Sequence, residues 1–157
     1  MDLEMKTNVS IPEADIRSQA AKDGITHLST GVAILVDNRI LMVRRAKGDF
    51  LAGNFELPGG GVDEGETITE GATREIKEET GLSISKIIAT FKGFDYSTDK
   101  KPKARQINFI VEVEPGKVML DPEEHDAFIW VNEGNVGDIK MSENMRHCVN
   151  DALRIRN

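Results

Sequence analysis

Residues 60–82 read GGVDEGETITEGATREIKEETGL. Within them Glu75, Glu78 and Glu79 recur at i, i+3 and i+4, which puts three carboxylates on adjoining positions of one helical face. Like charges at that spacing oppose an isolated helix, and a solvated acidic face would be the ordinary explanation. The apolar pattern argues otherwise: Ile68, Ala72, Glu75 and Glu79 follow i, i+4, i+7 and i+11, a single stripe, so two carboxylates continue an apolar face. Glutamates so placed turn inward or into a cleft. Half-buried carboxylates need protons, cationic side chains or a metal, and Arg74 is the one cation near enough in sequence. Metal is the economical answer, and oxygen donors alone suit Mg²⁺ or Mn²⁺. Gly59, Gly60 and Gly61 let the backbone come close to a ligand. They form no Walker A loop, since no Gly-Lys-Ser/Thr follows, and no dinucleotide fingerprint.

Outward from this stretch, residues 67–80 form a helix with Gly81 as its C-cap. Upstream, STGVAILVD (29–37) and RILMVRRA (39–46) read as a β-hairpin turning at Asp37-Asn38, and NFELP (54–58) as a short strand. Downstream, LSISKIIATFKGF (82–94) and RQINFIVEVE (105–114) alternate apolar with polar, joined by the basic loop DKKPKAR (99–105). AFIWV (127–131) is a further strand, and residues 142–155 make a closing helix with Met145, Val149, Ala152 and Leu153 near one face. The polar residues 1–25 read as an N-terminal extension, in which Ser10 and Glu13 form a capping box for a short helix towards Gly24. The domain proper is residues 26–157. Its order predicts an α/β fold, a mixed sheet between helices.

Composition bounds the function. With 39% hydrophobic and 30% charged residues, the 157-residue chain is expected to be one globular domain. No window approaches the roughly 18 uncharged apolar residues of a membrane span, so no membrane partner is expected. The opening MDLEMKTNVSIPEADIR has no basic segment followed by an apolar one, which predicts a cytoplasmic location. A net charge of −7 argues against a nucleic-acid polymer as partner, but phosphates remain possible where carboxylates collect a metal that reverses the local field. Cys148, the single cysteine, reads as a packed thiol without chemistry.

Gly60, five residues, Glu66, seven residues, Arg74-Glu75-Ile76, one residue, Glu78-Glu79, one residue, Gly81-Leu82: at every defined position this resembles the Nudix box. RRA, eight residues, then FELPGG is similar to the approach to the box in MutT-type members, and the strand order from about residue 28 onwards is similar to the whole domain. The resemblance implies a Nudix fold, an α/β/α sandwich around a mixed β-sheet, and hydrolysis of a nucleoside diphosphate linked to some group X. It implies divalent-metal ligation by Glu75, Glu78, Glu79 and the Gly60 carbonyl, with Mg²⁺ or Mn²⁺ as cofactor. The catalytic set it implies is Glu78, Glu124 and Arg74, the arginine pairing with Glu66 to hold the loop against the helix. Glu124, counted back from Trp130, falls where several members carry a catalytic glutamate on a loop; the alternative is an exposed loop acid.

Arg45 resembles the arginine that contacts a substrate phosphate upstream of the box, against the alternative of a sheet-surface cation, while Arg44 should face the opposite side. Asn144 matches the position from which MutT-type enzymes read a purine edge, and a helix cap is the alternative. His125 is expected to face solvent. The basic residues Lys100, Lys101, Lys103 and Arg105 read as a solvated hairpin tip, with electrostatic steering of polyphosphate as the alternative. The proline expected downstream of the box in ADP-ribose pyrophosphatases is absent, as are the signatures of the NADH and coenzyme A types. The expectation is therefore a Mg²⁺-dependent pyrophosphohydrolase of small nucleotides, converting a (deoxy)nucleoside triphosphate, oxidised or not, to monophosphate and pyrophosphate. A dinucleoside polyphosphate hydrolase and a non-catalytic nucleotide sensor are the alternatives, and the oligomeric state is expected to be monomer or homodimer.

Overall fold

His27–Val36 (β1) carries apolar residues on both faces, which makes it the middle of the molecule: Val32 and Ile34 are fully buried in one cluster and Ala33 in another. Such a run is what a strand covered on both sides requires. The computed structural model describes residues 11–48 and 52–156. Asp37 (φ 50°) and Asn38 (φ 65°) both take the left-handed conformation of a two-residue hairpin turn, which returns the chain into β2 (Arg39–Arg45) with Leu35 opposite Ile40. The other strands are β3 (Phe55–Glu56), β4 (Ile84–Phe91), β5 (Asp95–Tyr96), β6 (Ala104–Val113) and β7 (His125–Val131). They form one sheet in the order β3-β2-β1-β6-β4, with β5 also on β6 and β7 also on β2. The β1–β6 pairing is parallel and the remaining pairings antiparallel, so the sheet is mixed.

Two helices cover it. In α2 (Ile68–Thr80) the Thr67 hydroxyl accepts the Glu70 N–H while the Glu70 carboxylate accepts the Thr67 N–H, a complete capping box, and Gly81 (φ 75°) ends the helix in the left-handed conformation. Ile68, Ala72 and Ile76 pack against Val32, Ile34 and Phe109. On the opposite face α3 (Glu143–Ile155) buries Met145, Val149 and Ala152 against Ala33, Met42 and Ile110. The result is an α/β/α sandwich. Cys148 is a buried free thiol in that second layer; burial pushes its pKa up and its Sγ accepts Asn108 Nδ2–H at 3.1 Å.

A third helix, α1 (Glu13–Lys22), precedes the sheet. Ser10, expected as its cap, lies outside the described residues. Glu13 is spent elsewhere: its carboxylate accepts the backbone N–H of Ile68 at 2.9 Å, and Arg17 donates to the Glu66 carbonyl at 2.9 Å. α1 thus caps the start of α2 from outside, and Ile16 packs on the same apolar cluster. Among the described residues no helix is long and apolar enough to cross a membrane.

Candidate active site

The strand β3 ends at Glu56, and after Pro58 the three glycines run alongside the first half of β1 on the way to α2. Thr30 holds them there: its N–H donates to the Gly60 carbonyl at 2.8 Å, and its hydroxyl lies 3.3 Å from the same oxygen. At Gly59 (φ 151°) a Cβ would run into the Thr30 carbonyl; at Gly60 it would run into the Glu75 carboxylate. Only glycine brings the loop that close to both neighbours.

Glu79 is the most enclosed of the helix carboxylates, 8% exposed, and accepts the Gly59 N–H at 2.9 Å. Burial pushes its pKa up to about 8, against the pull of that N–H and of His125, with Glu75 and Glu56 adding to the rise. Burial likewise raises Glu75, although Arg74 Nη1 lies 2.9 Å from its Oε1. Glu78 is drawn aside to Arg74 at 3.3 Å, with its side chain 57% exposed at the rim.

Arg74 is the knot of the box. Its guanidinium bonds Glu66 twice, at 2.7 and 3.0 Å, and donates to the Gly61 carbonyl at 2.9 Å. The Glu66 bonds raise the arginine's pKa above its ordinary value and hold Glu66 down to about 2, so both stay charged and the loop stays pinned to α2.

From the other side of the cleft comes the turn before β7. A register shift between Arg44 and Arg45 sets His125 opposite Arg45, and the Ala46 N–H donates to the Glu124 carbonyl at 3.0 Å. His125 is buried at 3% exposure, not turned to solvent as expected: its Nε2 lies 2.9 Å from Glu56 Oε2, while Arg45 Nε donates to Glu56 Oε1 at 3.0 Å. Burial pulls the imidazole's pKa down, but the Glu56 bond and the charges of Glu79, Glu56 and Glu124 lift it above its ordinary value overall. A histidine between two acids in the sequence gives no sign of this, because Glu56 arrives from a strand 69 positions away. One ligand atom each of Glu79, Glu124 and His125 lie within 4.8 Å of one another.

These groups line a cleft of about 950 Å³ that also takes in Arg45, Asn144 and Lys101. The structure thus brings Gly60, Glu75, Glu79, Glu124, Arg45 and Asn144 to one cleft, whereas Arg74 and Glu78 do not line it: Arg74 reaches it through Glu75 and holds Glu78 outside. Arg44 points away, to Asp126 at 2.7 Å. Asn144 does not cap α3; Ser142 does, accepting the Met145 N–H at 3.2 Å. The donor set fits a hard divalent cation: carboxylate oxygens converge on a glycine cradle, and among the described residues the buried Glu79 has no cationic side chain within ion-pair distance. The Gly60 carbonyl already accepts from Thr30, so ligation through it would use the lone pair the Thr30 hydroxyl now approaches.

Residues 25–151 match the model of the NUDIX domain. The chain is 41% identical over 93 residues to the ADP-ribose pyrophosphatase of Methanocaldococcus jannaschii, a match covering 58% of this chain and 53% of that protein. It is 46% identical over 59 residues to the oxidized purine nucleoside triphosphate hydrolase of Mus musculus, covering 38% of this chain and 37% of that one. It therefore matches about half or less of the length of these relatives. Its fold is that of the MutT protein of Methanosarcina mazei Go1, with a TM-score of 0.71 over 83% of this chain and 95% of that one at 24% identity. With a complete box folded around a carboxylate cleft and the domain model matched over most of its length, the chain belongs to the Nudix family.

Proposed function

We propose that the chain is a Mg²⁺- or Mn²⁺-dependent pyrophosphohydrolase that cleaves a nucleoside diphosphate linked to X, with a nucleoside triphosphate as the preferred substrate. The observation that carries this is the convergence of Glu75 and Glu79 on the cradle of Gly59 and Gly60, with Glu124 facing them across an open cleft. Glu75, Glu78 and Glu79, with the Gly60 carbonyl, would hold the cation. When bound, it withdraws charge from phosphoryl oxygens and makes water a usable nucleophile near neutral pH.

The chain's own residues do the rest. Glu124 takes the proton of the attacking water, whose oxygen bonds to phosphorus as the bridging P–O bond breaks and the leaving phosphate departs with the electron pair. No covalent enzyme intermediate is needed. Arg45, oriented by Glu56, offers its guanidinium to a substrate phosphate. Arg74 holds the loop, and Asn144 at the cleft wall reads the base edge. The choice of a triphosphate is supported by the sequence's lack of the ADP-ribose-type proline and by the relative named for oxidised purine triphosphates. The M. jannaschii relative, named for ADP-ribose, sets the competing substrate.

The test is a Mg²⁺-dependent hydrolysis screen over nucleoside triphosphates, ADP-ribose and dinucleoside polyphosphates with products resolved. A triphosphate giving monophosphate and pyrophosphate, with turnover falling on the order of 10²-fold in both Glu78→Gln and Glu79→Gln while melting is retained, is the expected result. Turnover unaffected by either variant in saturating Mg²⁺ would remove the helix from the mechanism.

A further inference from the structure

The tip of the basic hairpin between β5 and β6 is exposed from Ser97 to Lys100, as expected of a solvated turn, but Lys101 is half-buried. Tyr96 donates its hydroxyl to Ser29 Oγ at 2.8 Å, and Ser29 pairs with Gly61 in an antiparallel bridge, which ties the base of the hairpin to the opening of the box. Ser97 Oγ donates to the Pro102 carbonyl at 2.7 Å and braces the neck. A tight turn then closes from Thr98 to Lys101: Thr98 N–H donates to the Lys101 carbonyl at 2.9 Å, and Lys101 N–H to Thr98 Oγ1 at 2.9 Å. This geometry folds Lys101 back over the glycine loop, where a Cβ at Gly61 would stand 2.9 Å from its Nζ.

Lys101 is half-buried in the cleft wall and, among the described residues, its side chain has neither an ion pair nor a hydrogen bond. The arginines nearby are engaged, Arg45 with Glu56, Arg74 with Glu66, and Arg105 with Asp95 and Asp23, while Lys100, which also lines the cleft, is exposed. A cation kept without a partner beside a carboxylate cluster is complementary to an anion that the cleft is to receive. Lys103, on the same hairpin, is exposed and does not line the cleft.

We infer that Lys101 forms an anion subsite for the phosphoryl groups of X, so that it selects substrates in which X is phosphate or polyphosphate over those in which X is a neutral sugar. The inference rests on the cleft being the site of nucleoside diphosphate-X hydrolysis. A neutral X leaves the ammonium facing nothing, whereas each phosphoryl group offers it a charge-assisted hydrogen bond.

Binding tests it without turnover. Inorganic tripolyphosphate is titrated calorimetrically into the full chain in Ca²⁺ buffer at about 0.15 M salt, where exposed charges beyond a Debye length are screened. Lys101→Met should weaken binding by about tenfold or more, and Lys101→Arg should restore most of it. Lys103→Met removes the same formal charge and should leave binding unchanged. Full-strength binding by Lys101→Met, an equal loss in Lys103→Met, or no binding by the unmodified chain would each overturn the subsite. In the turnover arm, Lys101→Met should lower kcat/KM for a nucleoside triphosphate relative to ADP-ribose by about tenfold. An unchanged ratio overturns the selection. A chain that binds tripolyphosphate through Lys101 yet hydrolyses no nucleotide would sink the hydrolase reading and keep the subsite; the reverse pattern would sink the subsite alone.

Discussion

At the scale of single residues, two adjacent glycines serve different ends. A methyl group at Gly59 meets the Thr30 backbone, which cannot step aside, and the residue's φ of 151° is one that side chains avoid. At Gly60 the methyl meets the end of the Glu75 side chain, which can swing away. Gly59→Ala is therefore expected to cost roughly 1–3 kcal/mol of stability. Gly60→Ala should melt near the parent temperature but lose activity, by about tenfold or more, because Glu75 leaves the cradle. Thermal melts set beside initial rates for the two variants decide this, and a Gly60→Ala enzyme of full activity would break the link between cradle and carboxylate. The pairing behind Glu79 and Glu75 was legible from the stripe that they share with Ile68 and Ala72. That Glu78 sits outside it, held by Arg74, follows from the same 3.6-residue period.

At the scale of elements, the start of α3 bears on the two alternative roles that the sequence left open for Asn144. Ser142 accepts the Met145 N–H and caps the helix, while Asn144 lies exposed two residues on, at the cleft wall. Ser142→Ala should lower stability by roughly 0.5–2 kcal/mol with no change in base preference. Asn144→Ala should leave the melting temperature alone and weaken kcat/KM for a purine triphosphate by roughly 1–3 kcal/mol, with a smaller effect on a pyrimidine one. An unchanged purine to pyrimidine ratio would rule out Asn144 as the base reader. The elements themselves were readable: Asp37-Asn38 marked the hairpin, and Gly81 the end of α2. The extra strand β5 was not, because its two residues pair only with β6 and carry no alternating pattern of their own.

At the scale of the whole molecule, charge links segments far apart in the chain. Arg105 on β6 bridges Asp95 on β5 at 2.7 Å and Asp23 just past α1 at 3.0 Å. The Arg105 hydrogen bond holds the Asp95 pKa below its ordinary value, so the contribution to stability is present above about pH 4 and fades as pH falls through the lowered folded-state value. Asp95 is largely exposed, and the bridge is worth no more than about 1 kcal/mol. Melting curves of the parent and Asp95→Asn should accordingly differ slightly at neutral pH and converge on the acid side. A gap that widens as pH falls would contradict the pairing.

The sequence by itself determined most of the elements and the carboxylate helix, because each is written in local pattern: apolar runs or alternation for strands, the 3.6-residue stripe for α2, and glycine or Asp-Asn where the backbone must turn left-handed. What only the tertiary structure decided were the partners brought from elsewhere. Glu13 reaches across to cap α2, Glu56 buries His125 and orients Arg45, and Lys101 folds back over Gly61. Each depends on which strand lies beside which and in what register, and a side chain's neighbours across a sheet leave no mark on the residues next to it in the chain.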